Sequence, residues 1–243
     1  MKGRFLIGSN EKTVEKNIYS DRSAVVLDWL LREGTKSRDL SVRNVSKKAG
    51  ISLGSVQRVF GTLVLKGILQ VEGIRTAKKF FLKDPKRLLE GWLQHYSIVK
   101  KCKMRTYHSG FQDKAELLEA LKKSKLNNKV ALALHSAAEV HGYKNTNLST
   151  LELYVIDPLV RPRLEKKLLL EPQEKGYEVL LIEPYYKSLL KNTCDSSLDI
   201  NVSSPILTFL DLYHFPLRGQ EQAEFMAERL PELKRIYKSG KPS

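Results

Sequence analysis

The sequence predicts an α+β fold in two domains, and three observations support this division. The chain has 243 residues, which exceeds the commonest size of a single domain. Residues 1–96 combine amphipathic helical patterns with two short strand patterns, whereas residues 97–243 interleave strands and helices. Charge divides at nearly the same place: residues 1–100 carry 20 Lys and Arg against 9 Asp and Glu, and residues 101–243 carry 22 against 18.

Composition restricts the class of protein. Hydrophobic residues make up 42% of the chain and charged residues 28%, which is typical of a globular protein. No apolar run approaches the roughly 20 residues of a membrane helix, and the N-terminal apolar run is too short for a signal peptide. We therefore expect a cytoplasmic protein without a membrane partner. The formal net charge of +15, concentrated in the first hundred residues, favours a polyanionic partner for the N-terminal domain.

The first helix is predicted over residues 21–32. Its apolar side chains recur at helical spacing and share one face: Val25, Val26, Trp29 and Leu30. Asp21 belongs to a residue type that commonly caps a helix N-terminus, and Gly34 follows where the helix must end. The pattern indicates a helix that packs against the core with one side.

Two further helices are predicted on either side of Gly50. Ser41 is the candidate N-cap of the first and Ser52 of the second, and glycine accommodates the positive φ of a tight turn between them. The inward-facing residues follow helical spacing: Val42, Val45, Ala49, Val56, Val59, Phe60, Leu63 and Leu65. Two short helices joined by such a turn form a helix-turn-helix.

The outward-facing residues of this hairpin suit contact with DNA. Gln57 and Arg58 can make bidentate bonds to base edges, and Ser52 and Ser55 can bond to phosphates beside the N-terminus of the second helix. The complete set of candidate major-groove residues is Lys47, Lys48, Ser52, Gly54, Ser55, Gln57 and Arg58. The alternative interpretation of the same pattern is an ordinary solvated helix face.

Two short strands are predicted after the hairpin, over residues 68–71 and 79–82. We expect the polar residues between and beside them to contact the DNA backbone: Arg75, Thr76, Lys78 and Lys79. With the segment VSKKAGISLGSVQRVF before it, this region resembles the winged helix-turn-helix domains of bacterial and archaeal regulators. The prediction is therefore an N-terminal winged helix-turn-helix domain, residues 1–96, followed by a mixed α/β C-terminal domain, residues 97–243.

The remaining elements are predicted from periodicity. A helix over residues 86–96 connects the domains, and the basic segment after it fits either a linker or a strand. Strand patterns cover residues 150–157 and 178–184, the second being of the fully buried type. Helical patterns cover residues 114–123, 129–143 after a short apolar start, 162–170, 203–216 and 219–237, the last as one or two helices. Ser203 or Ser204 is the expected cap of the helix that begins with Pro205.

Four segments of the second domain carry a more specific resemblance. They are, in order, LALHSAAEVHGY, LELYVID, VLLIEPYY and SSPILTFLDLYHFPLRGQEQAEFMAERL. In this order they resemble the C-terminal domain of the AbiEi family, the antitoxin and autorepressor components of bacterial abortive-infection toxin–antitoxin systems. The resemblance implies a winged helix that binds repeats in its own promoter and a C-terminal domain that neutralises a nucleotidyltransferase-like toxin. Helix-turn-helix proteins usually bind as homodimers or in several copies, and a lone regulator without a toxin remains an alternative.

Carboxylates at two predicted strand ends leave an enzymatic alternative open. Asp157 and Glu183, with Lys187 nearby, faintly match a metal-dependent nucleic-acid-processing enzyme, but the expected Glu-x-Lys spacing is absent. A plasmid-replication protein with a winged helix is the other alternative. The sequence has no catalytic Ser elbow, phosphate-binding Gly loop or His and Cys metal spacing. We therefore predict no enzyme, no catalytic residue, no metal site and no cofactor.

Two pairs of charged residues are interpreted as structural. His135 and Glu139 are four positions apart and can pair on one helix face. Asp211 is expected inside a helix, close to Arg218, as an ion pair. Neither pair is expected to take part in chemistry.

Overall fold

A computed structural model of the chain describes residues 17–37, 40–74, 78–190, 194–195 and 199–238, with backbone alone for residues 194, 195, 237 and 238. The fold is α+β, as predicted. In the described residues, helices and a two-stranded ribbon come first along the chain, and a larger mixed β-sheet with its own helices follows.

The N-terminal elements follow the predicted order. They are α1 (Asp21–Trp29), α2 (Val42–Ala49), α3 (Leu53–Leu65), β1 (Leu69–Glu72) and β2 (Lys79–Leu82). A π-helical segment, Leu30–Gly34, prolongs α1. The two strands pair antiparallel, and Leu40, just before α2, bridges to Phe80 of the ribbon. The ribbon is thereby attached to the start of α2.

Local capping determines where α2 and α3 begin. Ser41 Oγ accepts a hydrogen bond from Asn44 N at 3.2 Å, and Ser52 Oγ accepts one from Ser55 N at 3.4 Å. Gly50 between the helices has φ of 65°, in the left-handed region that favours glycine. Both predicted caps and the predicted turn are confirmed. The inward-facing residues that become fully buried are Val45, Val56, Val59, Phe60 and Leu63.

Two details of the sequence prediction are wrong in this region. Leu65 is 88% exposed rather than inward-facing, because two residues of helix place it on nearly the opposite side from Leu63. Ser20, and not Asp21, occupies the N-cap position of α1. The carboxylate of Asp21 instead accepts hydrogen bonds from the backbone and hydroxyl of Ser188, at 2.8 and 2.7 Å.

The connecting helix α4 (Pro85–His95) is close to its predicted bounds. Its predicted inward-facing residues are all buried: Leu88, Leu89, Trp92 and Leu93. The basic segment after it forms a short helix, α5 (Ile98–Lys101), and then β3 (Lys103–Ser109). Of the two interpretations of this segment, the strand is therefore the correct one.

Within the described residues, seven strands form one mixed sheet. After β3 they are β4 (Val130–Leu132), β5 (Leu151–Val155), β6 (Leu170–Pro172), β7 (Val179–Glu183), β8 (Cys194–Asp195) and β9 (Ile200–Val202). Their spatial order is β6-β3-β7-β5-β4-β9-β8. β7 lies antiparallel to β3 and parallel to β5, and its side chains are buried on both faces. This position explains its nearly continuous apolar sequence.

Helices cover both faces of this sheet. Along the chain they are α6 (Lys114–Lys123), α7 (Leu134–Val140), α8 (Arg161–Lys167), α9 (Pro205–Tyr213), α10 (Gly219–Arg229) and α11 (Pro231–Lys238). Ser204 caps α9 by accepting a hydrogen bond from Leu207 N at 3.2 Å. The C-terminal pattern resolves into two helices rather than one. In the part of the chain that is described, no helix is both long and apolar enough to cross a membrane.

Buried polar contacts hold the N-terminal helices on the larger sheet unit. The indole of Trp92 donates to the hydroxyl of Tyr186 at 2.8 Å, and that hydroxyl donates to the carbonyl of Tyr19 at 3.0 Å. Ser204 Oγ donates to the carboxylate of Asp28 on α1 at 2.9 Å. Because one hydrophobic cluster also runs from the N-terminal helices to α11, α1 and the α3 helix that it supports are fixed relative to the sheet.

Candidate nucleic-acid interface

α3 has one buried face and one exposed face. Successive helical residues rotate by about 100°, so the positions opposite its buried stripe are Gly54, Gln57, Arg58, Gly61 and Leu65. Gly54, Gln57 and Arg58, which the sequence predicted as contact residues, are therefore together on one exposed face. Gly61 was not predicted, although its spacing of seven residues from Gly54 was a signal that it shares this face.

Hydroxyl groups at the start of α3 orient Arg58. Ser52 Oγ donates to Ser55 Oγ at 2.9 Å, and Arg58 Nη2 donates to the same Ser55 oxygen at 3.3 Å. The guanidinium thus lies beside the first turn of α3, where unpaired backbone N–H groups carry partial positive charge. This end of the helix combines a full charge and a helix dipole of the same sign, which suits an anionic partner.

Lys47 and Lys48 are exposed in the last turn of α2. Cations at a helix C-terminus interact favourably with its carbonyl groups, which by itself is a structural reason for their presence. Because α2 ends at the turn that leads into α3, the two lysines also add positive charge next to the α3 N-terminus. The predicted Lys47, Lys48, Ser52 and Ser55 are consequently neighbours.

The ribbon contributes a second basic element. Lys78 and Lys79 are both exposed, and Lys79 lies opposite Glu72 in the ribbon register. The predicted contacts of Arg75 and Thr76 lie outside the described residues. Among the described residues of the ribbon, Lys78 is therefore the predicted contact that does not lie opposite an acidic residue.

A groove of about 870 Å³ separates α3 from the ribbon. Its floor is apolar and includes Phe60 and Phe80, whose rings meet edge to face at 4.9 Å. The polar side chains around this floor are those of Ser41, Arg43, Gln57 and Lys78. A single elongated ligand in this groove would therefore contact both the exposed face of α3 and the ribbon.

The cations on this side of the molecule are available to an external anion. Of the described residues, no acidic side chain forms an ion pair with any of five of them: Arg43, Lys47, Lys48, Arg58 and Lys78. Unpaired cations on one surface repel each other weakly and gain most from a polyanion that contacts several of them. The arrangement thus favours a polyanionic ligand.

The carboxylates considered for catalysis lie at neighbouring strand ends. β5 and β7 are parallel neighbours, so Asp157 and Glu183 follow the same edge of the sheet. Asp157 accepts a hydrogen bond from Leu159 N at 3.1 Å, and Glu183 lies opposite Lys103 in the register with β3. Lys187 is exposed at the start of a short 3₁₀ turn. Across the described ranges, no group of three His, Cys, Asp or Glu residues is arranged to hold a metal ion.

His135 and Glu139 are not paired, contrary to the sequence prediction. His135 Nε2 donates to the carbonyl of Leu217 at 2.9 Å. The Glu139 carboxylate instead accepts from Lys114 at 2.7 Å and pairs with Lys144 at 3.1 Å. Desolvation by burial opposes ionisation of Glu139, but the hydrogen bonds and charges of Lys114 and Lys144 together outweigh it and lower the pKa. Both side chains join separate parts of the fold.

The predicted ion pair between Asp211 and Arg218 is also wrong. Arg218 pairs with Glu221 at 3.1 Å on the surface. Asp211 is fully buried and accepts hydrogen bonds from the phenols of Tyr96 and Tyr154, both at 2.7 Å. Burial raises the pKa of Asp211 to about 7, although the two hydrogen bonds oppose the shift.

Residues 81–231 match a family model described as transcriptional regulator, AbiEi antitoxin, type IV toxin–antitoxin system. The match covers more than half of the chain, and the chain belongs to this family. It is accordingly a transcriptional regulator and antitoxin of a toxin–antitoxin system.

The matched range begins inside β2 and ends at the first residue of α11. It confirms the resemblance that the C-terminal segments carry. The helices α1 to α3 lie before the matched range. The assignment of the candidate interface therefore depends on its geometry alone. No curated protein and no solved structure matches the chain.

Proposed function

We propose that the chain is a sequence-specific DNA-binding regulator, in which α3 is the recognition helix of a winged helix-turn-helix. The observation that carries this proposal is the exposed pair Gln57 and Arg58, on a helix whose opposite face is buried. The order of elements supports it, because α2, a glycine turn, α3 and an antiparallel ribbon follow one another as in a winged helix. The ribbon then corresponds to the wing.

Base recognition is assigned to two side chains of α3. The guanidinium of Arg58 has the geometry to donate to guanine O6 and N7 in the major groove, and the amide of Gln57 matches adenine N6 and N7. The hydrogen bond from Arg58 to Ser55 reduces the freedom of the free side chain, which lowers the entropic cost of ordering it on DNA. These two residues provide the specificity of the complex.

Phosphate contacts provide most of the affinity. Lys47 and Lys48, with the α3 N-terminus at Ser52, are placed to contact one stretch of backbone, and Lys78 of the wing contacts another. Gly54 keeps the first turn of α3 free of a side chain at the point of closest approach. Dimers or several copies on repeated sites would multiply these contacts.

The two domains divide the work of an autorepressor and antitoxin. Residues 1–96 bind the operon's own promoter in the cytoplasm, and residues 97–243 neutralise the cognate toxin. The family supports the second role, because its match lies mainly over the sheet domain. The toxin is of nucleotidyltransferase-like class, as the resemblance to the AbiEi family implies.

Binding of the full chain to DNA tests the DNA-binding role. Fluorescence anisotropy would compare a duplex from the region upstream of the gene with a shuffled duplex of the same composition. We expect the upstream duplex to bind more tightly by several orders of magnitude at physiological salt, as specific complexes do. Equal affinity for both duplexes would contradict sequence-specific regulation. Cleavage of either duplex on addition of Mg²⁺, abolished in Asp157→Ala, would instead support the enzymatic alternative.

The antitoxin role needs a separate experiment. An adjacent reading frame with nucleotidyltransferase sequence features would be expressed in a host strain, alone and with this chain. We expect growth arrest by the first and its relief by the second. Relief by the full chain with Arg58→Ala would show that neutralisation does not require DNA recognition by α3, and no relief by the wild-type full chain would contradict the antitoxin role.

A further inference from the structure

A cleft of about 580 Å³ lies between the N-terminal helices and the sheet unit. One wall is α1, a second is the turn from α2 into α3, and the third comes from the sheet unit at Ser188, Leu189 and Ser204. Three cationic side chains line it: Arg22, Arg32 and Lys48. The first two were not among the residues predicted from the sequence, because their proximity to α3 depends on how α1 packs.

The acidic group in this cleft is already neutralised by its neighbours. Asp28 is the carboxylate in the lining, and it is buried. It accepts hydrogen bonds from Arg32 Nε at 2.7 Å and from Ser204 Oγ at 2.9 Å. Among the described residues, Arg22 and Lys48 form no ion pair. The cleft therefore retains an excess of positive charge directed at solvent.

The cleft is continuous with the exposed face of α3. Ser52 and Ser55, at the start of α3, form part of its lining. Arg22 and Ser55 also line a second depression, of about 520 Å³, that extends to Arg58. Asp21 also lines this depression, but its carboxylate accepts hydrogen bonds from Ser188 N and Oγ. A surface with a net excess of cations thus runs from Arg58 past Ser55 and Arg22 to Lys48, and it ends against the sheet unit.

We infer that this cleft binds a phosphate group of the DNA backbone, next to the bases that α3 reads. The inference rests on the proposed DNA-binding function and extends the contact surface to α1 and to the junction between the two parts of the molecule. Arg22 and Lys48 provide the charge, and the first-turn N–H groups of α3 provide hydrogen-bond donors. A free phosphate group has the same chemistry, so the experiment must separate the two sources.

The test uses the full chain with Arg22→Gln alone, because Lys48 already belongs to the proposed DNA contact and Arg22 is the cation that the cleft adds. A matched control, Arg163→Gln, removes the same charge from an exposed position of α8, which packs on the other face of the sheet. Affinities for the upstream and shuffled duplexes are measured over a series of salt concentrations. Thermal unfolding with and without inorganic phosphate provides the second readout.

A DNA phosphate in the cleft predicts that the cleft variant binds both duplexes more weakly by a similar factor. The slope of log K against log salt should fall by about 1 for each phosphate that the variant no longer neutralises, with the α8 control unchanged. Unchanged affinity and slope would overturn the inference while leaving the proposed function in place. Unchanged DNA affinity together with loss of a phosphate-induced rise in Tm would overturn it in favour of a free phosphate ligand.

Failure of the proposed function has a different signature. In that case the wild-type chain binds both duplexes equally or binds neither, and Arg58→Ala behaves as the wild type does. The change in Tm on addition of inorganic phosphate then still tests the chemistry of the cleft. A rise in Tm that the cleft variant loses would assign the cleft to free phosphate. If phosphate raises the Tm of neither protein, the cleft is not a phosphate site.

Discussion

The phenol of Tyr96 donates a hydrogen bond of 2.7 Å to the buried carboxylate of Asp211, which is 115 positions away in the sequence. Tyr96 ends the connecting helix α4, and Asp211 lies in the last turn of α9. Tyr154 of β5 donates to the second oxygen of the same carboxylate. One ionisable group thus joins the connecting helix, the sheet and the helix layer.

This carboxyl should make stability depend on pH. Burial raises the pKa of Asp211 from 3.8 to about 7 in the folded protein. Its favourable contribution is fully present below the unfolded value and is lost as the pH rises through the folded value. We expect the free energy of unfolding of the wild type to fall more steeply between pH 4 and 7 than that of Asp211→Asn. Identical pH profiles from urea unfolding would contradict the assignment.

Burial also raises the pKa of Asp28, against the opposing effect of Arg32 and Ser204. Its contribution has the same sign and is present in both proteins, so it cancels in the comparison. The difference between the two profiles therefore reports Asp211 alone.

Arg58→Ala should abolish the preference for the upstream duplex. Removal of a bidentate bond to a base costs about 1–3 kcal/mol of discrimination. Competition binding measures the ratio of specific to nonspecific affinity, with Arg163→Ala on α8 as a control of equal charge change. Specific binding that survives unchanged in Arg58→Ala would show that α3 is not the recognition helix.

Lys78→Ala combined with Lys79→Ala should weaken binding to every duplex alike. Phosphate contacts are independent of sequence, so the ratio of specific to nonspecific affinity is expected to stay constant while the salt slope becomes shallower. A salt titration of the wild type and the variant measures both quantities. An unaltered salt slope would show that the ribbon does not contact the DNA.

Gly54→Ala should increase stability and decrease the affinity for DNA. A Cβ added at Gly54 meets nothing within 4 Å, and glycine inside a helix costs roughly 0.5–1 kcal/mol relative to alanine. We expect the variant to unfold at higher denaturant and to bind DNA more weakly, because the methyl group occupies the contact face. Higher stability with unchanged binding would mean that no partner approaches this turn.

Gly50→Ala is the contrasting substitution. It also adds a methyl group in open space, but the residue has φ of 65°, where an L side chain is strained by roughly 1–2 kcal/mol. Its stability should therefore decrease, as measured by the same denaturant titration. A gain in stability would show that the turn between α2 and α3 adopts another conformation in solution.

Much of the N-terminal region follows from residues that are close in the sequence. The caps at Ser41 and Ser52 and the turn at Gly50 depend on contacts within four residues, so local patterns predict them. The buried faces of α3 and α4 also follow from helical periodicity, with Leu65 as the exception at the last residue of α3. The same periodicity placed Gly54, Gln57 and Arg58 on one exposed face.

The partners of isolated polar residues required the tertiary structure. Asp21 is a helix cap by residue type, but its carboxylate binds Ser188 on the opposite part of the molecule. Asp211 and Arg218 are seven positions apart, yet the one is buried against two tyrosines and the other pairs at the surface. The partner of a polar side chain depends on whether that side chain is buried away from water, and the packing of the elements determines this.

The sequence by itself determined most of the helices, the caps at Ser41 and Ser52, the two ribbon strands and the family, because periodicity, capping and motif order are properties of neighbouring residues. Only the tertiary structure decided the order of the seven described strands, the contacts that fix α1 to the sheet, and the cleft where Arg22 and Arg32 lie beside Lys48. These features join residues that are up to 176 positions apart. Their formation depends on the packing of whole elements, which no local pattern encodes.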